Sequence, residues 1–483
     1  MTGIMGIVIA LVLLMYLAYR GISVLILAPL MALLAVLLSG DAPILATYTQ
    51  VFMKATGNFI ILYFPLFLLG AIFGKLMDDS GSAKAIANWI IDKFGAERSI
   101  LAVVISCALL TYGGVSLFVV AFAVYPIAAA LFRDNAIPKR LIPGTIALGA
   151  FTFTMTALPG TPAIQNAIPM PFFGTTPFAA PFLGIISAIV MFSLGMLWLN
   201  YQYRKAKRRG EGYGNHEDNE PSVDNKIRHC AEGEGFDVQE LKEKCSPVDL
   251  PAFYIATLPI VLVIALNYLF STIIIPSMDT SYLALEQYGQ TDVGAVKGIW
   301  SIIMALFFSI ITLITLNWKR FSKLTESLDS GANASVLPIF NTASLVGFGA
   351  VIASLTAFEL IRSGVLGIGG NNPLISLALS VNILAGITGS ASGGMSIALQ
   401  TLGTTYVEMA RDAGVSLELM HRVTSVATGG LDSLPHNGAV ITLLAICKLT
   451  HKESYKDIFV VAVLAPLAAL VVLITLGTLF GSF

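Results

Sequence analysis

Residues 389–394 read GSASGG and lie at the centre of an apolar stretch, 375–409, of about 35 residues. A second such stretch, 99–132, is interrupted by YGGVS at 112–116. A helix crosses the bilayer with about 20 residues, so each stretch is too long for one span and short for two. The lengths favour two re-entrant hairpins that enter and leave on the same side. Two complete spans joined by a tight turn are the alternative.

The rest of the chain is equally apolar. Of its 483 residues, 56% are hydrophobic and 12% are charged, with a mean hydropathy of +0.81; soluble domains carry about 25% charge. This composition excludes a soluble enzyme, a nucleic-acid binder and a disordered scaffold, and predicts an all-α polytopic membrane protein. Full spans are expected at 3–19, 22–39, 57–77, 141–170, 176–199, 251–275, 298–316, 334–360, 419–447 and 458–481.

The few charges predict an orientation. If the polar loop 200–248 is cytoplasmic, only Lys54, Lys297, Arg362, Arg411 and Arg422 of the 28 basic residues lie outside, which leaves 23 inside. By the positive-inside rule, both termini then lie on the outer side of the cell membrane. The four cysteines form no CxxC pair, so neither a disulfide framework nor a metal site is expected.

The two halves of the chain resemble each other. GGVSL at 113–117 matches GGMSI at 393–397, 280 positions later, and Leu158-Pro159 matches Leu434-Pro435, 276 positions later. Each half contains five crossings and one hairpin, so the second half is expected to enter the membrane upside down, as in secondary transporters. The predicted organisation is a first inverted repeat at 1–199, a cytoplasmic polar linker at 200–248 and a second inverted repeat at 249–483.

Two further interruptions fall within predicted spans, at 156–162 (TALPGTP) and 428–438 (TGGLDSLPHNG). Proline breaks a helix, and non-helical backbone at membrane depth is tolerated where it lines a cavity. With no lysine or arginine expected near the midplane, an anion would be held by helix ends, hydroxyls and amides. The candidate substrate-binding residues are Thr111, Gly113, Gly114, Ser116, Pro159, Gly160, Thr161, Gln165, Asn166, Thr388, Ser390, Ser392, Gly393, Ser396, Ser433 and Asn437.

Asp432 and His436 are the ionisable pair in the second break. Ionisable residues are expensive inside a membrane and are often functional there, and histidine titrates near neutral pH. The pair is therefore the candidate for carrying a coupling proton. The alternative is that both side chains only satisfy loose backbone groups or lie in a wet vestibule.

The string LGAIFGKLM at 69–77, followed by DSG at 79–81 and KFG at 93–95, resembles the gluconate permease (GntP-type) family of secondary transporters. The resemblance implies proton symport of gluconate, related sugar or hydroxy acids, or 3-hydroxybutyrate. It also implies a homodimer in the cell membrane with an elevator-type transport domain that moves against a scaffold. The first break lacks the histidine typical of that family, and no acid follows Asn437, which keeps 3-hydroxybutyrate beside gluconate as a candidate.

The function expected from the sequence is therefore a cation-coupled symporter of a small organic anion, not an enzyme, with no cofactor. The coupling ion is expected to be H⁺, with Na⁺ as the alternative because carbonyls and hydroxyls at broken helices can bind it. An anion channel and an intramembrane hydrolase using Ser392 or Ser433 with His436 are the remaining alternatives.

Overall fold

The computed structural model of the chain describes residues 2–20, 22–95, 98–214, 216, 249–368, 372–435 and 437–483. All regular structure in these ranges is helical, which confirms the all-α fold class. Among the described helices, seven are long and apolar enough to cross a membrane. The protein is therefore a multi-pass membrane protein.

The first half of the chain begins with two helices packed on each other and continues through a long helix, a short helix, a hairpin, a broken helix and a last long helix. In chain order these are α1 (Thr2–Tyr19), α2 (Val24–Ser39), α3 (Ile44–Asp79), α4 (Ser82–Phe94), α5 (Ser99–Tyr112), α6 (Leu117–Asp134), α7 (Leu141–Thr156), α8 (Ile164–Ala167), α9 (Pro169–Phe173) and α10 (Pro181–Arg208).

The second half has the same order of elements, from a packed pair to a last long helix. These are α11 (Phe253–Ser277), α12 (Val293–Arg320), α13 (Leu324–Ser354), α14 (Phe358–Leu366), α15 (Pro373–Thr388), α16 (Ala391–Asp412), α17 (Leu417–Thr428), α18 (Gly438–Ile446) and α19 (His451–Phe480). The opposite orientation of the two halves in the bilayer stays a prediction.

The paired helices brace the long helix of the other half. The long helices α3 and α13 pack on each other, while α2 packs against α13 and α12 packs against α3. Buried apolar side chains of α1, α2 and α13, such as Ile7, Leu14 and Phe348, form a second core beside the main one. The two long helices thus form a central wall that both halves share.

Several helices are longer than the predicted spans. The span predicted at 57–77 is the helix Ile44–Asp79, and the span predicted at 176–199 continues to Arg208. The extension of α10 carries Lys205, Lys207 and Arg208 in its last turn, where cations favour the negative end of the helix dipole. The first residues of the predicted linker are therefore helical, whereas Cys230, Cys245 and most of the linker lie outside the described residues.

The hairpin arms are unequal. The first arms, α5 and α15, have 14 and 16 residues, whereas the second arms, α6 and α16, have 18 and 22. By its length and composition, α6 could cross a membrane by itself. The choice between re-entrant hairpins and paired crossings therefore stays a prediction.

A polar cluster ties the halves together near the start of α7. Asp457 of α19 is buried and accepts hydrogen bonds from Arg140 Nη1 and Trp198 Nε1, both at 2.9 Å. Arg140 also pairs with Glu211, at 2.7 Å from Nε to Oε1. Burial raises the pKa of the nearby Tyr213 phenol to about 12, and its ring faces the Arg133 guanidinium at 5.4 Å. The first residues after α10 are therefore docked on the transmembrane body.

Candidate functional site

The first break separates α7, which ends at Thr156, from α8, which begins at Ile164. Side chains of neighbouring helices form hydrogen bonds with the backbone carbonyls of this break. Tyr112 Oη donates to the Pro159 carbonyl at 2.7 Å, and Asn267 Nδ2 donates to the Gly160 carbonyl at 3.1 Å. Gly160 has φ +80°, and a Cβ there would lie 2.5 Å from the Phe178 ring. Only glycine fits this position.

The second break separates α17, which ends at Thr428, from α18, which begins at Gly438. Asn437 caps α18 by accepting from Val440 N at 3.1 Å, and its Nδ2 donates to the Gly389 carbonyl at 2.6 Å. The same side chain thus joins the second break to the tip of the second hairpin. Both breaks fall where the proline-containing strings predict them.

The hairpin tips lie beside the breaks. A Cβ on Gly114, which has φ +93°, would lie 2.8 Å from Pro162 of the first break. In the second hairpin, Gly389 has φ +63°, and Ser390 caps α16 by accepting from Gly393 N at 3.2 Å. Each tip is therefore a tight turn with polar groups at its apex.

The tips and breaks line a cavity of about 280 Å³. The long helices α3 and α13 complete its wall with residues such as Phe67, Gly70, Pro338 and Thr342. Half of the eighteen predicted site residues line it: Thr111, Gly114, Ser116, Gln165, Ser390, Ser392, Asp432, Ser433 and Asn437.

Eight of the other predicted residues are not among those that line the cavity. Gly113 faces Ile260, and a Cβ on Gly393 would meet Leu345. Thr388 Oγ1 donates to the Leu384 carbonyl at 2.8 Å, within its own helix. Pro159, Gly160, Thr161, Asn166 and Ser396 are likewise absent from the wall, and His436 lies outside the described residues.

The cavity wall is mainly apolar, with several polar side chains and almost no charge. Among its described residues, Asp432 is the sole ionisable one, and it accepts from Ser433 Oγ at 3.2 Å. Two further oxygens, Thr111 Oγ1 and Gln165 Oε1, are buried without a hydrogen-bond partner. Buried polar atoms without a partner are rare in native proteins, and both of these belong to residues of the cavity wall.

Behind this wall lies a buried cation. Arg422 was expected among the basic residues of the outer side, with no lysine or arginine near the midplane, but its side chain is 0% exposed and its guanidinium donates to Asn166 of α8, just after the first break. The expectation was wrong because an arginine three residues into a predicted span looks like a flanking charge. The local sequence gives no signal of its burial, which depends on the carbonyls of Pro177 and Ala179.

Comparisons with known proteins identify the family. No family model matches the sequence. The chain is 45% identical over 473 residues, 97% of each chain, to the uncharacterized transporter YxjC of Bacillus subtilis (strain 168). Its fold resembles the YdaH transporter of Alcanivorax borkumensis (TM-score 0.57, 14% identity, 90% of this chain and 89% of that one). It also resembles Neisseria gonorrhoeae MtrF, which is described in connection with antimetabolite efflux pumps (TM-score 0.53, 13% identity, 91% and 85%). The chain therefore belongs to the family of membrane transporters represented by YxjC.

Proposed function

We propose that this transporter is a proton-coupled symporter of a small organic monocarboxylate. The observation that carries the proposal is the cavity formed by both hairpin tips and both breaks, with one ionisable group, Asp432, in its described wall. Its volume of about 280 Å³ is at the lower end of the range for small-molecule sites. A small metabolite suits this space better than a large one.

The polar groups of the wall match a hydroxylated anion. The hydroxyls of Ser116, Ser390 and Ser392, which line the cavity, can donate to a carboxylate and accept from substrate hydroxyls. Gluconate and 3-hydroxybutyrate, the substrates implied by the resemblance to gluconate permeases, both combine one carboxylate with hydroxyl groups.

The proposed coupling ion is H⁺, carried by Asp432 with His436. Protonation of Asp432 removes the negative charge that would otherwise repel an incoming carboxylate. Na⁺ is the alternative, because both breaks present backbone carbonyls. A homodimer in the cell membrane, with an elevator-type movement of the hairpins and breaks against the long helices, completes the proposal.

Uptake into proteoliposomes tests the function. We expect labelled gluconate or 3-hydroxybutyrate to accumulate against its gradient when an inward proton gradient is imposed, and not under a Na⁺ gradient alone. Accumulation under a Na⁺ gradient alone would show that the coupling ion is Na⁺ and not H⁺. Uptake that follows only the substrate's own gradient would indicate a channel, and uptake of neither compound under any gradient would refute the proposed substrate class.

Cysteine labelling tests the inverted arrangement. Ser116 and Ser392 both line the cavity, one at each hairpin tip, and an inverted repeat brings the two tips in from opposite sides of the membrane. We therefore expect Ser116→Cys and Ser392→Cys, made in a chain without its own cysteines, to react preferentially with membrane-impermeant reagents applied from opposite sides. Preferential labelling of both from one side would contradict the inversion.

A further inference from the structure

Arg422 is a buried cation whose hydrogen-bond partners are all neutral. Its Nε and Nη2 donate to the Ala179 carbonyl at 3.0 and 2.7 Å, and Nη2 also donates to the Pro177 carbonyl at 3.3 Å. Its Nη1 donates to Asn166 Oδ1 at 3.2 Å. Within the described ranges no carboxylate forms an ion pair with it, and Glu418, one turn earlier in α17, is exposed.

The neighbours of Arg422 supply no negative charge. Asn166 Nδ2 donates to the carbonyls of Thr161 and Pro177, both at 3.0 Å, which determines the orientation of its amide. Its Oδ1 therefore accepts from both Arg422 Nη1 and His421 Nε2, each at 3.2 Å. His421 Nδ1 in turn contacts the Thr175 hydroxyl at 2.6 Å. Neither an amide nor an imidazole carries a negative charge, so neither side chain neutralises the guanidinium.

The positive charge lies directly behind the cavity wall. Asn166, which Arg422 contacts, follows Gln165, which lines the cavity, and Ser425, one turn after Arg422, donates to the Gln165 carbonyl at 3.0 Å. An unpaired charge in a buried, water-poor region acts over a longer distance than it would in water. Its field therefore reaches the cavity, where the described wall contains one opposite charge, that of Asp432.

We propose that Arg422 is a positioning residue whose buried charge makes the site prefer an anion to an uncharged molecule of the same shape. The proposal rests on the proposed function. A carboxylate in the cavity is attracted by the guanidinium behind the wall, whereas an uncharged amide of the same shape gains nothing from that charge.

A comparison of the affinities for an acid and for its uncharged amide separates the effect of the ligand's charge from that of its shape. The purified full-length protein is titrated calorimetrically with gluconate and gluconamide, and with 3-hydroxybutyrate and 3-hydroxybutyramide. We expect Arg422→Gln to lower affinity for each acid by about tenfold or more, the size expected from loss of a partly buried charge interaction, and to change affinity for each amide little. Arg422→Lys keeps the charge and should keep most of the preference for the acid.

The controls distinguish a structural role from an electrostatic one. Lys139→Gln removes another buried cation, at the far end of α7 from the break, and should leave the acid-to-amide ratio unchanged. If Arg422→Gln weakens acid and amide equally, or if Arg422→Lys loses as much preference as Arg422→Gln, the charge role is refuted. A wild-type protein that binds neither acid would refute the proposed function, and this inference with it.

Discussion

Asp432→Asn is expected to abolish uphill accumulation of the carboxylate while substrate exchange across the membrane continues. Asparagine resembles the protonated carboxyl group in shape and has no charge, so the cavity stays in the form that binds an anion. Without a proton to release, substrate binding no longer depends on pH, and the proton gradient has no means of driving net uptake. The side chain lines the cavity, so the substitution should not disturb the core.

Two measurements on the same proteoliposomes check this expectation. Gradient-driven accumulation should fall to the background of empty liposomes, while counterflow of labelled substrate against unlabelled substrate should remain. Asp412→Asn, at the exposed end of α16, is the matched control and should accumulate substrate normally. Unchanged accumulation by Asp432→Asn would assign the proton to another group, with His436 the first to examine.

The breaks and hairpins could be predicted from the sequence because their causes are local. Proline removes a backbone donor wherever it stands, so Pro159 and Pro435 mark the two interruptions without reference to their neighbours. The hairpin tips follow equally directly from glycine, which permits the positive φ observed at Gly114 and Gly389. The transmembrane helices follow from apolar length, although their ends do not, because a helix such as α10 continues into the polar region.

Which polar side chains reach the cavity depends on tertiary contacts and could not be predicted in the same way. Thr161 and Gln165 are four residues apart and equally polar, yet only Gln165 lines the cavity. Asn166 forms hydrogen bonds with His421 and Arg422 of α17, which are more than 240 residues away in the sequence. Nor could the sequence show that Arg422 is buried, since that depends on the carbonyls of Pro177 and Ala179.

Gly394→Ala is expected to disrupt the second hairpin and to eliminate transport. The two arms, α15 and α16, are in backbone contact at this residue: a Cβ added to Gly394 would overlap the backbone nitrogen and Cα of Ala385. Backbone atoms cannot rotate away as a side chain can, so the arms must separate. Overpacking of this kind destabilises a core by about 1–3 kcal/mol. The displaced tip would carry Ser390 and Ser392 out of the cavity wall.

The same substitution elsewhere provides the control. Gly57 lies within the long helix α3, and a Cβ there would meet nothing within 4 Å, so Gly57→Ala should transport normally and be no less heat-stable than wild type, because alanine favours helix. Thermal unfolding of the detergent-solubilised proteins and uptake by proteoliposomes measure the two effects. A Gly394→Ala protein with wild-type uptake would show that the arms can separate without harm, and close packing of the hairpin would then not be what holds its tip in the cavity.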